Sequence, residues 1–155
     1  MQPNIPYGWQ KKGATIELET ARSPSLNALA FLTRDNTFFP YLIEGYVDRF
    51  VVVEVFEAFF SSLDPTRRKA IVIDNAPAHV SEFFQLHEEH WKKQYKAELV
   101  PLPTYSPELN LIEILWRFVK YQWLPWKAYQ SMEKLQDELW HIFLNVGNKF
   151  TISFG

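Results

Sequence analysis

The sequence predicts an α/β domain in which helices flank a mixed sheet. Short apolar runs typical of strands alternate with longer stretches in which apolar residues recur every three or four positions, as in amphipathic helices. Proline, glycine, asparagine and aspartate mark the connections between these segments. A chain of 155 residues is the size of one domain with its own core, so residues 1–155 are predicted to form a single domain.

Composition excludes several classes of protein. The chain has no cysteine, which excludes a disulfide framework, a thiolate metal site and a thiol nucleophile. With 47% hydrophobic and 17% aromatic residues, the chain is too apolar for intrinsic disorder. No apolar run approaches the roughly 20 residues that span a bilayer, and no signal peptide opens the chain, so we expect a cytoplasmic protein without a membrane partner. The net charge of −2 gives little indication of nucleic-acid binding.

The first part of the chain predicts an irregular start followed by a hairpin. Proline and glycine interrupt residues 1–13, and Ala14–Glu19 alternates apolar and charged residues like a short edge strand. Leu26–Thr33 and Thr37–Glu44 are apolar arms separated by a turn sequence. Pro40 lacks a backbone N–H, so the second arm is expected at a sheet edge.

The middle of the chain predicts two helices and two covered strands. Val47–Leu63 has helical periodicity and is stopped by proline. The apolar strand Lys69–Asp74 ends on a carboxylate. A helix is expected over Ser81–Tyr95, with Pro77 in its first turn, and a second apolar strand over Ala97–Pro101.

The last part of the chain is predicted to be mainly helical. A helix begins near Asn110 and runs to about Trp123, where proline follows. Another covers roughly Tyr129–Val146 and stops at Gly147. Phe150–Phe154 is expected to form a small terminal strand.

Two acidic residues stand where a metal site would be built. Asp74 lies at the carboxyl end of its strand, where open α/β sheets bind their ligands. Glu113 lies in the first turn of its helix, where the helix dipole favours a carboxylate. Together they suggest oxygen ligands for Mg²⁺ or Mn²⁺. Two alternatives remain open: Asp74 as a cap of the following helix, and Glu113 as the ion-pair partner of Arg117.

His79 follows Asp74 by five residues and is expected one turn into the next helix. A role beside the metal site and a plain helix-surface position are both compatible with this spacing. On the later helix, Glu113, Arg117 and Lys120 share one polar stripe opposite a broad apolar face.

Two motifs identify a family resemblance. Val72-Ile-Asp-Asn-Ala-Pro-Ala-His79 and Tyr105-Ser-Pro-Glu-Leu-Asn-Leu-Ile-Glu-Ile-Leu-Trp116 resemble those of DDE transposases of the mariner superfamily, in its bacterial insertion-sequence branch. The segments Pro6–Gly13 and Leu124–Trp126 are also similar to family segments. The resemblance extends over essentially the whole chain.

The resemblance implies a ribonuclease H-like fold and metal-dependent DNA cleavage and strand transfer at the ends of a mobile element. Such enzymes use two aspartates and a final aspartate or glutamate to hold two Mg²⁺ or Mn²⁺ ions. By motif, Asp74 is the second acidic residue and Glu113 the third. The expected partners are double-stranded DNA at the transposon ends and further copies of the chain. The residues expected to support the ligands or contact DNA are Asn75, His79, Asn110, Arg117 and Lys120.

The resemblance also implies that the family's first acidic residue and first strand are absent. Both should precede the Tyr7-Gly-Trp9 segment, with which the chain opens, and the helix-turn-helix region is missing too. Asp35 and Asp48 follow that segment and are poor substitutes. We therefore expect a truncated or separately encoded catalytic domain, inactive alone, that works with an N-terminal fragment. The alternative is a non-catalytic DNA-binding or assembly module that retains the fold.

The missing strand has a structural consequence. In a ribonuclease H-like sheet the first strand lies between the positions of Leu26–Thr33 and Lys69–Asp74, so each would present an unpaired edge. We expect the gap to be filled by Ala14–Glu19, by Phe150–Phe154 or by a strand from a second chain.

Overall fold

The computed structural model describes residues 25–103 and 106–154, and their architecture confirms a mixed α/β fold with small sheets flanked by helices. The predictions for residues 1–13 and Ala14–Glu19 lie outside the described residues. The helices and strands follow in the order β1 (Leu26–Leu32), β2 (Phe38–Glu44), α1 (Arg49–Ser62), β3 (Lys69–Ile73), α2 (Glu82–Tyr95), β4 (Ala97–Pro101), α3 (Leu111–Phe118) and α4 (Met132–Phe143).

Strands β1 and β2 form the predicted hairpin. They pair antiparallel, with Leu26 opposite Glu44 and Leu32 opposite Phe38. Asn36 closes the turn in the left-handed region, with φ of 64°, a conformation that asparagine tolerates well. Pro40 lies in β2 at a position whose backbone nitrogen points away from β1. The N–H that proline lacks is therefore not needed for the pairing of β1 with β2.

Strands β3 and β4 form a second, separate sheet. They pair parallel, from Lys69 opposite Ala97 to Ile73 opposite Pro101, and α2 makes the crossover between them. Across residues 25–103 and 106–154 each sheet has two strands, and β1 is not paired with β3. Among these residues the single mixed sheet predicted from sequence is divided in two, and β1 and β3 each have one edge without a described strand partner.

Two apolar clusters hold these elements together. In the first, α1 and α2 cover one face of both sheets, and Phe60, Phe84 and Trp91 are completely buried. In the second, α3 and α4 cover the other face of the β1–β2 hairpin, with Leu115 and Ile142 at its centre. The hairpin is thus sandwiched between helices, which explains its nearly continuous apolar sequence.

The predicted terminal strand Phe150–Phe154 is wrong. Phe150 makes an isolated bridge with Val146, and no strand follows over residues 151–154. The segment is held instead by the hairpin turn: Asn36 Nδ2 donates to the Ile152 carbonyl at 3.0 Å, and the Ile152 N–H donates to Asn36 Oδ1 at 2.8 Å. This position excludes Phe150–Phe154 as the segment that fills the space between β1 and β3.

The helices depart from prediction mainly at their ends. Ser131 caps α4, so this helix begins later than predicted, and a 3₁₀ turn over Trp126–Gln130 precedes it. The helix from Asn110 continues past α3 as a wider π turn over Val119–Trp123. Within the described ranges, none of the helices has the length and apolarity that crossing a membrane would require.

Candidate metal-binding site

Asp74 is the first residue after β3, and its own turn holds its carboxylate. Oδ1 accepts a hydrogen bond from the Ala76 N–H at 3.1 Å and lies 2.8 Å from His79 Nδ1. Ser81, not Asp74, caps α2, because its hydroxyl accepts from the Phe84 N–H. The alternative of Asp74 as a helix cap is therefore wrong. The Asp74 side chain keeps 41% of its surface exposed and can reach a ligand.

His79 lies in the turn before α2 and not inside the helix as predicted. Its ring packs against Phe56 and Phe84, with centroid distances of 5.8 and 5.3 Å. Its Nδ1 lies within hydrogen-bonding distance of both the Asp74 carboxylate and the Asp74 carbonyl, at 2.8 and 3.2 Å. Because a carbonyl and an ionised carboxylate only accept, Nδ1 carries the proton, and His79 orients Asp74.

Asn75 ties together the ends of the parallel strands. Its Nδ2 donates to the Leu102 carbonyl at 2.9 Å, next to the bond from the Leu102 N–H to the Ile73 carbonyl at 2.8 Å. The amide thus fixes the segment that carries Asp74 against the end of β4. Asn75 has a positioning function, whatever else it contacts.

Glu113 and Asn110 occupy the start of α3. Asn110 precedes the helix with its side chain 9% exposed, and its carbonyl accepts from the Glu113 N–H at 3.0 Å. The side chain of Asn110 makes no capping hydrogen bond. Glu113 is exposed in the first turn.

The structure brings four of the predicted site residues to one cleft. Asp74, His79, Asn110 and Glu113 all line a cleft of about 210 Å³ whose walls include β1 and β3. Two carboxylates and one amide oxygen are the hard oxygen donors that Mg²⁺ and Mn²⁺ prefer. Across residues 25–103 and 106–154, however, no three histidine or acidic side chains converge on one metal position.

Arg117 and Lys120 do not line the cleft. Arg117 is exposed one turn after Glu113, and Lys120 places its Nζ 5.2 Å from the centre of the Tyr121 ring. The proposed ion pair between Glu113 and Arg117 is not formed among the described residues. The alternative of Glu113 as a partner of Arg117 is therefore not supported by the structure.

The two other aspartates considered from sequence have structural functions. Asp48 caps α1, where its Oδ1 accepts from the N–H groups of Phe50 and Val51 at 2.9 and 3.0 Å. Asp35 accepts from the Thr33 hydroxyl and from Thr37 in the hairpin turn, and these hydrogen bonds lower its pKa. Neither residue lines the cleft.

Sequence reasoning missed the contact between Asp74 and His79. The signal was present in the turn sequence, because an aspartate followed by Asn-Ala-Pro favours a side-chain to backbone turn that brings the chain back on itself. We instead extended the following helix towards Pro77, which placed His79 on a helix surface.

Asp74 at the end of β3 and Glu113 in the first turn of α3 line the same cleft, as expected for a metal-dependent endonuclease class. Comparison with known proteins agrees with this class: the family described as DDE superfamily endonuclease matches residues 1–136, and the chain belongs to that family. The chain is also 32% identical over 104 residues to the Transposable element Tcb2 transposase of Caenorhabditis briggsae. This alignment covers 61% of the chain and 36% of that protein, so the chain spans about a third of its relative. The resemblance to DDE transposases is confirmed, while the bacterial branch stays a prediction.

Proposed function

We propose that this chain is the catalytic domain of an insertion-sequence transposase, which cleaves double-stranded DNA at transposon ends and transfers the strands. The observation that carries the proposal is that Asp74 and Glu113 line one cleft at the end of β3 in a member of the DDE endonuclease family. In this proposal both carboxylates are metal ligands.

The donors around the cleft suit Mg²⁺ or Mn²⁺. Asp74 and Glu113 would bind the ion through carboxylate oxygens, and the buried Asn110 amide lies beside them. Two such ions, when bound, activate a water or hydroxyl and stabilise the leaving oxygen of a phosphodiester. His79 orients Asp74, because its Nδ1–H donates to the carboxylate.

A complete site of this kind needs a further carboxylate. The described residues bring two acidic side chains to the cleft, and Asp35 and Asp48 are engaged elsewhere. The third carboxylate therefore comes from residues that the structure does not describe or from a separately encoded N-terminal fragment. In the second case the chain alone is inactive. Assembly of several copies on the DNA belongs to the same proposal.

Titration with Mn²⁺ tests the metal assignment. Wild type should bind Mn²⁺ weakly, and Asp74→Asn and Glu113→Gln should each lose most of that binding, as measured by the electron paramagnetic resonance of free Mn²⁺. Glu98→Gln, an exposed position of β4 that does not line the cleft, serves as the matched control and should bind like wild type. Equal Mn²⁺ binding by all four proteins would contradict the proposal that Asp74 and Glu113 are metal ligands.

A non-catalytic DNA-binding or assembly module is the second candidate. It is favoured by the finding that no three acidic or histidine ligands converge within the described residues. A module of this kind would bind DNA with an affinity that neither EDTA nor the double variant Asp74→Asn with Glu113→Gln changes. Under the leading proposal, binding of transposon-end DNA is stronger with Mn²⁺ and loses this increase in the double variant.

A further inference from the structure

Two basic segments meet at the edge of the β3–β4 sheet where both strands begin. One is the loop that leads into β3, and the other runs from the last turn of α2 into β4. Lys69 Nζ donates to the Tyr95 carbonyl at 2.8 Å, and Lys96 Nζ donates to the Thr66 carbonyl at 3.1 Å. These bonds hold the two segments together as one surface, the basic end, which comprises residues 64–69 and 92–98.

The basic end has a surplus of positive charge. It contains six basic residues and two acidic ones, a formal charge of +4, in a chain whose net charge is −2. Lys69 Nζ donates to backbone carbonyls, and Lys93 Nζ lies 3.8 Å from Glu89 Oε2. The other four basic side chains are exposed and form no ion pair within residues 25–103 and 106–154; they are Arg67, Arg68, Lys92 and Lys96.

Local structure does not require all of this charge. Lys92 and Lys93 lie in the last turn of α2, where the helix dipole favours cations. Arg67 and Arg68 lie outside the helices, and the hydrogen bonds of Arg67 within the described chain involve its backbone N–H and carbonyl. The two guanidinium groups therefore remain accessible to a ligand.

The chemistry of the basic end fits a nucleic-acid backbone better than it fits a protein surface. Binding surfaces for proteins are usually anchored by large apolar or aromatic side chains. None of the large apolar side chains that are exposed in the described chain lies in residues 64–69 or 92–98. A row of phosphates needs no such anchor, because cations that displace its counterions supply the affinity.

We propose that the basic end is a second contact surface for double-stranded DNA, where arginine and lysine bind phosphates without reading the base sequence. Asp74 follows the last residue of β3, whereas the basic end lies at its first residue, about 17 Å away along a strand of five residues. Phosphates bound here are therefore separate from the phosphate that is cleaved in the proposed function. The inference rests on that function only in naming DNA as the polyanion.

The salt dependence of DNA binding tests this inference. Fluorescence anisotropy follows a labelled duplex of random sequence, about 30 base pairs long, as the 155-residue chain is added in the presence of EDTA. Arg67→Gln with Arg68→Gln should lower the affinity by roughly tenfold to a hundredfold at about 0.1 M salt. The same double variant should reduce the slope of log affinity against log salt concentration by about two.

Lys134→Gln with Lys149→Gln is the matched control. It removes the same charge at exposed positions outside the basic end, so its affinity should stay within about twofold of wild type. Lys92→Gln, on the other segment of the basic end, is a second test variant and should reduce the salt slope by about one. Thermal unfolding of each variant shows whether its fold is retained.

Loss of affinity in the folded variants of the basic end, and not in the matched control, supports the inference. Three results would overturn it: no binding of the duplex by wild type, equal losses in the two double variants, or binding of polyglutamate of matched charge as tightly as DNA. Because EDTA is present and the duplex contains no transposon end, none of these outcomes depends on metal binding at Asp74 and Glu113. The inference and the proposed function therefore fail separately.

Discussion

The two carboxylates of the candidate site are held in very different ways. Asp74 is fixed by hydrogen bonds from His79 and from the Ala76 N–H, and His79 itself packs on the fully buried Phe84. Glu113 is exposed, and no hydrogen bond or ion pair orients its carboxylate among the described residues. One carboxylate is therefore preorganised by the first apolar cluster, whereas the other is positioned only by its helix.

The largest expected effect comes from removing the support beneath His79. Phe84→Ala should destabilise the domain by about 3–5 kcal/mol, because a completely buried aromatic ring is replaced by a cavity. Leu86→Ala is the control on the same helix; its side chain is 70% exposed, so its cost should stay within about 0.5 kcal/mol. Urea unfolding measures both. Similar losses in the two variants would show that Asp74 does not rest on a rigid core.

An intermediate effect is expected at His79 itself. His79→Ala removes the hydrogen bond that orients Asp74, and under the proposed function it should weaken Mn²⁺ binding by roughly tenfold to a hundredfold. Arg117→Ala, near the unsupported Glu113, should leave binding unchanged. The proton relaxation rate of water in the presence of Mn²⁺ provides the measurement. Unchanged Mn²⁺ affinity in a folded His79→Ala variant would show that Asp74 is no better preorganised for metal binding than Glu113.

A smaller effect is expected at Glu57, which joins α1 to α2 through hydrogen bonds. Its carboxylate accepts from Trp91 Nε1 at 2.7 Å and from the Tyr95 hydroxyl at 2.5 Å. Burial acts to raise the pKa of Glu57, but these hydrogen bonds outweigh it and hold the pKa below its ordinary value of 4.5. The side chain is 39% exposed, so Glu57→Gln should cost only about 1 kcal/mol at neutral pH.

The pH dependence of the stability lost in Glu57→Gln follows from the lowered pKa of Glu57. The folded-state pKa is lower than the unfolded one, so the stabilisation is complete above the unfolded value of about 4.5 and is lost as the pH falls through the folded value. Thermal unfolding of wild type and Glu57→Gln at several pH values should therefore show a difference that shrinks below this point. A difference that grows in acid would contradict the assignment.

The elements were predictable because each depends on a local signal. The apolar arms on both sides of the Asp35 turn, the helix capped by Ser81 and the strand that ends at Asp74 were all found close to their observed bounds. The motif around Asp74 and the position of Glu113 also predicted both acidic residues at the cleft.

Contacts between segments that are distant in sequence could not be predicted, because several segments could have made each contact. Phe150–Phe154 has the composition of a strand, but the Asn36 side chain takes the backbone groups that a sheet would use. Leu86 fits a helical apolar period as well as His87 does, yet the packing of α2 leaves Leu86 exposed.

The bond between Asn36 and Ile152 has a consequence for the order in which the domain is completed during synthesis. The two residues are 116 positions apart, so the hairpin turn leaves the ribosome long before its partner exists. Gly147, with φ of 85° and the Asn36 carbonyl 2.8 Å from where a β-carbon would stand, makes the sharp change of direction that brings the last residues back to that turn. A nascent chain arrested just after Gly147 would therefore have a hairpin in which the Asn36 side chain still bonds to water, because Ile152 has not yet been synthesised.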